Sequence, residues 1–365
     1  MIKITAASKV YEEIKKTLLK RLDSVYTQDN HMGGPWVTHC EQKLKDLTGR
    51  KHAFIVTSGT SAITIMCLAL GIKQRDNVSV INYSIPSTVM PLKLLGAKLS
   101  FCDLNKFGQQ DVSNIATTNK KAILTTGLYG DCHDHDKIKD LGIPILNDSA
   151  QCFLSKYKGI EATKFGDASI ISFSYNKVVP VFGTYGAILT DRDDWAEKIT
   201  YMRKNGYVNN SQSTIQHIGI QAQPHPDKCV QLATSLDYVQ KWQARRQEVA
   251  FTLREAFENI GLGLRQSPKY SHTNYHKFCI FVDDKIKFAH KLSKVGIEAH
   301  LHYTYNFSKN PLLSDNVNKK FPMTDFFIKH ALTIPSHPWM TKKEIKKVIE
   351  GVKSCMSKKD YNIHP

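Results

Sequence analysis

The sequence predicts an α/β protein with a mainly parallel, seven-stranded sheet, helices on both faces of that sheet, and a smaller C-terminal α+β domain. Three observations lead to this prediction. The chain has 365 residues, which is longer than a single hydrophobic core usually supports. Between about residues 50 and 190, short β-rich runs alternate with helical runs, as in parallel sheets covered on both faces. From residue 227 onward this alternation gives way to longer helical stretches.

Seven runs in the first half have the β-rich composition of strands. They cover residues 53–57, 78–82, 98–102, 122–126, 144–147, 168–173 and 186–190. Three helices are expected in the gaps between them, over residues 61–70, 88–95 and 134–140. A glycine follows each of these helical runs, namely Gly71, Gly96 and Gly142. Because glycine readily adopts the left-handed conformation that ends a helix, it is an expected stop signal.

The second half predicts a different, mixed architecture. One long helix is expected over residues 227–259, followed by strands at 277–282 and 300–303. Further helices are expected at 285–294 and 342–355. We therefore predict a large domain over residues 1–240 that includes an N-terminal helical segment, and a small domain over residues 241–365.

Composition places the chain in the ordinary soluble class. Hydrophobic residues make up 41% and charged residues 23% of the sequence, and no apolar run approaches the ~20 residues that cross a bilayer. Charges interrupt the first 22 residues, which predicts an amphipathic helix rather than a signal peptide. The eight cysteines include no C-x-x-C pair, so neither a disulfide framework nor a zinc site is expected. We predict a cytoplasmic protein with no metal and no membrane contact.

The net charge of +17 favours anionic ligands, either nucleic acid or small phosphorylated or carboxylated molecules. The chain has no arginine-rich arm, zinc-finger spacing or aromatic RNA-binding signature. We therefore expect no nucleic-acid partner. A solvated, lysine-rich helix face is the plainer explanation of part of this charge.

A short turn after the first predicted strand has the features of a phosphate site. Ser58, Gly59 and Thr60 lie between the strand and the next helix. Glycine allows close approach of a ligand to the backbone, and the first N–H groups of a helix are free to bind phosphate. An ordinary turn with a serine or threonine helix cap explains the same residues.

An acid lies at the end of the fifth predicted strand. Asp148 directly follows residues 144–147, at the sheet edge where open α/β folds bind ligands. It is a candidate metal ligand, helix cap, or partner of a ring nitrogen. Since no second carboxylate lies nearby in the sequence, a metal is the weakest of the three.

A lysine follows the sixth predicted strand. Ser172 lies at the end of that strand and Lys177 five residues later, before a turn that contains Gly183 and Gly186. A loop lysine that loses its proton can act as a Schiff-base nucleophile, although most loop lysines have no such role. Taken with the phosphate turn and Asp148, this order of parts matches the needs of pyridoxal phosphate: donors for the phosphate, a carboxylate for the ring nitrogen and an amine for the aldehyde.

The chain resembles the DegT/DnrJ/EryC1/StrS family of sugar aminotransferases, fold type I pyridoxal-phosphate enzymes, over nearly its whole length. The matching positions are Gly33-Gly34-Pro35, Glu41, Ser58-Gly59-Thr60 with Ala62, Gly96-Ala97 with Asp103, Leu128-Tyr129-Gly130, Asp148-Ser149-Ala150-Gln151, Ser172-Phe173 with Lys177, His217 with Gly219, Gly296-Ile297, His302-Tyr303 and Ile334-Pro335.

The resemblance implies a role for each matched residue. Lys177 is expected to carry pyridoxal 5′-phosphate as a Schiff base and to shuttle the proton, and Asp148 to pair with the ring nitrogen. Gln151 is expected to contact the phenolic oxygen of the ring. Gly59, Thr60 and Ser172 are expected to bind the phosphate, and His302 to lie near the substrate.

Three positions depart from the family pattern. Ile85 stands where the family usually has an aromatic residue on the cofactor ring. The usual Gly-Glu-Gly-Gly turn is here the stretch 183–186, with Tyr185 at its third position. Gln221 and Gln223 replace the Asn and Arg of an Asn-x-Arg motif. The resemblance implies that Gln221 reaches the phosphate of a neighbouring subunit, and the loss of arginine removes a candidate carboxylate clamp.

The resemblance implies that the chain transfers an amino group from an amino acid such as L-glutamate to an anionic, nucleotide-linked ketosugar. It also implies a homodimer with shared active sites. Two alternatives within the family are a sugar dehydratase and a non-catalytic regulatory relative. Related dehydratases carry histidine in place of the lysine, and Lys177 argues against the first.

Overall fold

A computed structural model describes residues 1–27, 32–115, 117–208, 214–314 and 318–365. The helices in these ranges are α1 (Ala7–Tyr26), α2 (Pro35–Thr48), α3 (Gly59–Leu70), α4 (Pro86–Leu94), α5 (His135–Lys139), α6 (Asp193–Met202), α7 (Pro226–Asp237), α8 (Val239–Glu258), α9 (Lys285–Lys294), α10 (Pro322–His330) and α11 (Lys342–Cys355). The strands are β1 (His52–Val56), β2 (Asn77–Ile81), β3 (Lys98–Cys102), β4 (Ala122–Thr126), β5 (Ile145–Asp148), β6 (Lys156–Tyr157), β7 (Ile160–Glu161), β8 (Ala168–Ser172), β9 (Gly186–Thr190), β10 (Gly263–Leu264), β11 (Ser271–His272), β12 (Phe278–Phe281) and β13 (Ala331–Ile334).

A seven-stranded sheet with the order β1-β9-β8-β5-β4-β2-β3 forms the centre of the first half. Strands β3, β2, β4, β5 and β8 run parallel to one another, and β9 is antiparallel to both of its neighbours, β8 and β1. Strand β1 therefore points the same way as the other five. The mainly parallel, seven-stranded sheet is therefore confirmed. The carboxyl ends of these six strands share one edge, where ligands usually bind in such folds.

Helices cover both faces of this sheet. Along β1, Phe54 and Val56 pack in one apolar cluster with residues of α3, α4 and α6. Ala53 and Ile55 belong to a second cluster with residues of α2 and α7. Because successive strand residues point to opposite faces, these are two separate apolar layers.

The strands of this sheet lie close to their predicted positions. Residues 98–102, 122–126 and 186–190 were predicted without error. The others differ from the prediction by one residue at one or both ends. Gly71, at φ +76°, follows α3, and Gly96, at φ +77°, lies two residues after α4. Both glycines adopt the left-handed conformation, as expected of a residue that ends a helix.

Two predictions for the second half are wrong. The predicted helix over 227–259 is two helices, α7 and α8, which meet at Tyr238. No glycine or proline marks this break; Tyr238 instead stacks on Trp242, with ring centroids 5.8 Å apart. Residues 300–303 form no strand and contribute only one bridge, from His300 to Thr333. Strand β13, a fully buried run that was not predicted, pairs with β12.

The second half contains a small antiparallel sheet, β10-β12-β13, packed with α8, α9 and α11. Ile2 joins this apolar cluster and pairs with Ile297, so the first residues of the chain contact the C-terminal half. The division into 1–240 and 241–365 falls at the start of α8 and stays a prediction. Among the described helices, none is both long enough and apolar enough to cross a membrane.

Candidate active site

The turn between β1 and α3 is built for close approach of a ligand. The Ser58 hydroxyl accepts a hydrogen bond from the Ser61 N–H at 2.9 Å, so Ser58 caps α3 and Gly59 is the first helical residue. A Cβ atom on Gly59 would lie 3.1 Å from the Ser172 Cβ atom, and one on Gly186 would lie 2.6 Å from the Ser58 carbonyl carbon. The two glycines therefore allow the start of α3 to pack against the end of β8 and the start of β9. The free N–H groups of the first helical turn lie at this junction.

Asp148 ends β5 and is 4% exposed. Its carboxylate accepts hydrogen bonds from the Ala150 N–H at 3.0 Å and the Thr88 hydroxyl at 3.5 Å. Within the described residues it forms no ion pair. Burial raises the pKa of Asp148, while the Ala150 N–H and the charge of Lys177 oppose this rise. A buried carboxylate with so little local compensation is suited to a cationic or N–H partner on a ligand.

Lys177 lies in the loop between β8 and β9. The loop is closed by hydrogen bonds from the Val181 N–H to the Phe173 carbonyl at 2.9 Å and from the Tyr175 N–H to the Gly183 carbonyl at 3.3 Å. In the part of the chain that the structure describes, the Nζ atom of Lys177 has no hydrogen-bond or salt-bridge partner. Burial lowers the pKa of Lys177, and the Asp148 carboxylate opposes this effect. A larger share of the neutral amine follows, and only the neutral amine is a nucleophile.

A pocket of about 290 Å³ lies between these three elements. Seven of the predicted site residues line it: Gly59, Thr60, Ile85, Asp148, Gln151, Ser172 and Lys177. Thr126, at the end of β4, also lines the pocket, and its hydroxyl is buried without a hydrogen-bond partner among the described residues. Sequence reasoning missed Thr126, although its place at the carboxyl end of a parallel strand was a usable signal.

Gln151 and Ile85 are two of the side chains that line this pocket. The Gln151 carbonyl oxygen accepts a hydrogen bond from the Tyr129 N–H at 3.2 Å, and its amide group donates to the Tyr303 hydroxyl. Gln151 is thereby held in one orientation. Ile85 directly precedes α4 and is 37% exposed, so it presents an apolar surface to the open side of the pocket.

Two predicted residues, His302 and Gln221, do not line this pocket. The His302 ring nitrogen Nδ1 hydrogen bonds to the Thr333 hydroxyl at 3.1 Å. Burial and the charge of Lys277 lower the pKa of His302 to about 2, so the ring is neutral near pH 7. Gln221 is exposed, and its amide oxygen accepts a hydrogen bond from the Asn205 amide at 2.9 Å. Within one chain, neither side chain reaches the pocket.

The residues present fit pyridoxal phosphate. The close approach at Gly59 and Gly186 leaves backbone N–H groups accessible for a phosphate. The buried carboxylate of Asp148 suits a ring N–H, and the amine of Lys177, which has no partner in the described ranges, suits an aldehyde. The buried Thr126 hydroxyl, which lines the pocket and has no partner in the described ranges, offers a further hydrogen bond.

This sheet and pocket define a fold type I pyridoxal-phosphate enzyme. The chain belongs to the DegT/DnrJ/EryC1/StrS aminotransferase family, whose model matches residues 12–353. The predicted family, fold class, aminotransferase activity and cofactor are thereby confirmed.

Three known proteins illustrate the range of this fold. A UDP-2-acetamido-2-deoxy-3-oxo-D-glucuronate aminotransferase of Pseudomonas aeruginosa is 26% identical over 91% of this chain and 94% of its own length. A pleiotropic regulatory protein of Geobacillus stearothermophilus is 25% identical over 93% of this chain and 96% of its own length. A crystal structure of a GDP-4-keto-6-deoxymannose-3-dehydratase (ColD) mutant with bound GDP-perosamine matches with a TM-score of 0.84 and 20% identity, and covers 93% of this chain and 97% of that one. The fold is therefore shared by a transferase and a dehydratase. The residues of the active site, rather than the fold, distinguish these two activities.

Proposed function

We propose that the protein transfers an amino group from an amino acid, L-glutamate, to an anionic, nucleotide-linked ketosugar and so makes an aminosugar. The product would serve a surface polysaccharide such as lipopolysaccharide, or a secondary metabolite. One observation carries the proposal: Lys177 and Asp148 line one pocket, and the Lys177 amine has no partner among the described residues. This pairing supplies an amine for the cofactor carbonyl and a carboxylate for its ring.

When bound, pyridoxal phosphate supplies a carbonyl that takes up amines and a ring that accepts electrons. In the proposed mechanism Lys177 would hold the cofactor through its amine. When that amine is free, it would remove the proton from the α-carbon of the donor and later give a proton to the sugar carbon that receives the amino group. Asp148 would hold the proton on the ring nitrogen, so that the ring can accept electrons.

The remaining residues bind and orient in this proposal. Gly59, Thr60 and Ser172 would hold the phosphate, and Gln151 would bind the phenolic oxygen of the ring. Ile85 would pack on the ring face, where it offers apolar contact without aromatic stacking. His302 would lie near the substrate, and Gln221 would extend toward the phosphate bound by a neighbouring chain.

The sugar acceptor is supported by the similarity to the Pseudomonas aeruginosa enzyme, whose name specifies an oxo-glucuronate substrate. The net charge of +17 also suits a sugar with a diphosphate or a carboxylate. The amine of Lys177 argues against a dehydratase, because the related dehydratases carry histidine at this position.

A non-catalytic regulatory role is the second candidate. It is favoured by the similarity to the Geobacillus stearothermophilus regulatory protein and by the departures at Ile85 and Gln223. Tyr185, a third departure, is buried, and its hydroxyl accepts a hydrogen bond from the His225 N–H at 2.7 Å. Because Tyr185 packs in the core behind the pocket, it gives no reason to doubt activity.

The test combines cofactor attachment with turnover. Purified protein is loaded with pyridoxal phosphate, reduced with borohydride and analysed by peptide mass. We expect the cofactor mass on Lys177, no such mass in Lys177→Ala, and an unchanged modification in the control Lys343→Ala, whose side chain is exposed. Glutamate should then convert the bound cofactor to its amine form, and a panel of neutral and acidic nucleotide ketosugars should be aminated.

The outcomes separate the candidates. Cofactor attached to Lys177 with no conversion by any amino acid would support the regulatory role. Loss of a sugar hydroxyl without amino transfer would support a dehydratase. Unmodified Lys177, or full turnover by Lys177→Ala, would contradict the proposed mechanism altogether.

We also propose that the protein is a cytoplasmic homodimer. Ile215 and Ile218 are 66% and 79% exposed, close in sequence to Gln221, and an exposed apolar pair of this kind suits a subunit contact. We expect light scattering to give twice the mass of the chain. Ile218→Asp should shift the protein toward monomer and weaken cofactor retention, whereas Ile286→Asp, on the exposed start of α9, should do neither. A wild-type monomer that retains cofactor would contradict this proposal.

A further inference from the structure

A second cavity lies on the other side of the Lys177 loop from the cofactor pocket. Tyr175, Asn176 and Lys177 line both spaces, so the two share a wall. The second cavity is also lined by Arg246 of α8 and by Lys277, directly before β12. Its volume is about 30 Å³.

The polar side chains around this cavity are cationic or neutral, and several lack partners among the described residues. Arg246 is 5% exposed; it donates one hydrogen bond, to the Val178 carbonyl at 3.4 Å, and its Nε atom has no partner there. Lys277 is 8% exposed, and its Nζ atom has no hydrogen-bond or salt-bridge partner in the described ranges. His276 is 6% exposed, with an unpaired Nδ1 atom.

No carboxylate of the described residues balances these charges. The charged groups that act on Lys277 are Lys177 and Arg246, both positive, and together with burial they lower the pKa of Lys277 to about 7. Asp148 acts on Lys177 instead, Glu298 acts on His300, and Glu344 acts on His337, which also lines the cavity. Buried charges are normally paired, so this arrangement lacks an anion.

We propose that this cavity binds a carboxylate group of the substrate, held by Lys277 and Arg246 beside Lys177. The inference rests on the proposed function and adds to it a recognition site for an acidic substrate. A water molecule needs roughly 10–15 Å³ of such space, so the cavity has room for about two oxygen-sized atoms but not for a sugar ring. The guanidinium fork of Arg246 matches the two oxygens of a carboxylate.

The test measures the binding of acetate to the cofactor-loaded enzyme by calorimetric titration at constant ionic strength and pH 6.5. Acetamide, which has the same shape without the charge, is the matched ligand. We expect acetate to bind and acetamide not to bind. Lys277→Met should weaken acetate binding at least tenfold, and Arg246→Lys, which keeps the charge and loses the fork, should weaken it less. The control Lys343→Met, on the exposed face of α11, should bind acetate as the wild type does.

The source of the carboxylate is decided by competition. Displacement of acetate by glucuronate but not by glucose would assign the site to an acidic sugar, and displacement by glutarate would assign it to the amino donor. Either result supports the proposal. Acetate binding that equals acetamide binding, that is unchanged in Lys277→Met, or that neither acid displaces would overturn it.

These results are separable from the proposed function. If acetate binds as expected and no amino transfer occurs, the carboxylate site stands and the proposed function fails. If amino transfer is normal and acetate does not bind, only the carboxylate site is wrong.

Discussion

At the scale of single residues, the candidate active site depends on two buried groups with opposite charges. Burial raises the pKa of Asp148 and lowers that of Lys177, so burial favours the neutral form of each. Each charge partly offsets this effect at the other group. A cofactor that brings a ring N–H to the carboxylate and a carbonyl to the amine would satisfy both, and the fit therefore concerns charge as well as shape.

The substitution Asp148→Asn tests the charge of the carboxylate at nearly constant volume. We expect cofactor binding to persist and amino transfer to slow by about 10²-fold or more, because an amide does not hold a proton on the ring nitrogen. Single-turnover absorbance with glutamate measures this rate. Thr88→Val removes the 3.5 Å hydrogen bond to Asp148 and a 3.0 Å hydrogen bond to the Ser84 hydroxyl but leaves the carboxylate in place; it is the control and should have a much smaller effect. Equal rates for Asp148→Asn and wild type would exclude the proposed role.

The site residues were predicted from the sequence through two kinds of local signal. Asp148 was a candidate because parallel strands end at a common sheet edge, Ser172 received its role from the family resemblance, and both line the pocket. Arg246 and Lys277 were not predicted, since each looks like an ordinary surface residue in its local sequence. Only the packing of α8 and β12 against the Lys177 loop buries them.

At the scale of secondary-structure elements, the start of α3 positions the phosphate end of the site. Ser58 caps the helix through a 2.9 Å hydrogen bond, while Gly59 and Gly186 permit the contact with β8 and β9. The cap stabilises the helix, whereas the free N–H groups are available to bind the ligand. The two functions can therefore be separated by substitution.

Ser58→Ala should destabilise the cofactor-free protein by about 1 kcal/mol, the usual cost of a lost helix cap. Ser58→Asn keeps a capping oxygen and should be close to wild type in stability. Ser58→Asp also caps the helix, but its negative charge should weaken cofactor binding through repulsion of the phosphate. Urea unfolding and cofactor titration measure the two quantities. A cofactor affinity for Ser58→Asp equal to that of Ser58→Asn would argue against a phosphate at this turn.

The elements that were predicted correctly carry local signals, and the wrong ones depend on tertiary contacts. Glycine stops and β-rich runs identified the strands and helices of the large sheet. The break between α7 and α8 has no turn-forming residue and follows from the packing around Tyr238. Strand β13 is fully buried, whereas residues 300–303 lie beside it and are joined to it only by the bridge between His300 and Thr333.

At the scale of the whole molecule, the proposed carboxylate site should reduce stability when it is empty. The titratable groups around Lys277 and its cavity are Lys177 from the β8–β9 loop, Arg246 from α8, the adjacent His276, His300 and His302 from the segment before β13, and His337 from the segment after it. Burial lowers the pKa of each of these histidines, so the positive charge around the cavity comes from Arg246 and from the protonated forms of Lys177 and Lys277. Uncompensated burial of these charges opposes folding.

Lys277→Met should therefore stabilise the cofactor-free protein, by about 1–4 kcal/mol near neutral pH. The pKa of Lys277 is about 7 in the folded chain, below the ordinary lysine value of 10.5. Between these values the unfolded chain binds the proton more tightly, so the wild type gains stability as the pH rises. The advantage of Lys277→Met should be largest at pH 7 and below, and should shrink toward pH 9.5. Thermal unfolding of both proteins across this range measures the difference, with Lys343→Met as the pH-independent control. A constant advantage, or none, would mean that Lys277 is not a buried cation, and the carboxylate site would lose its main support.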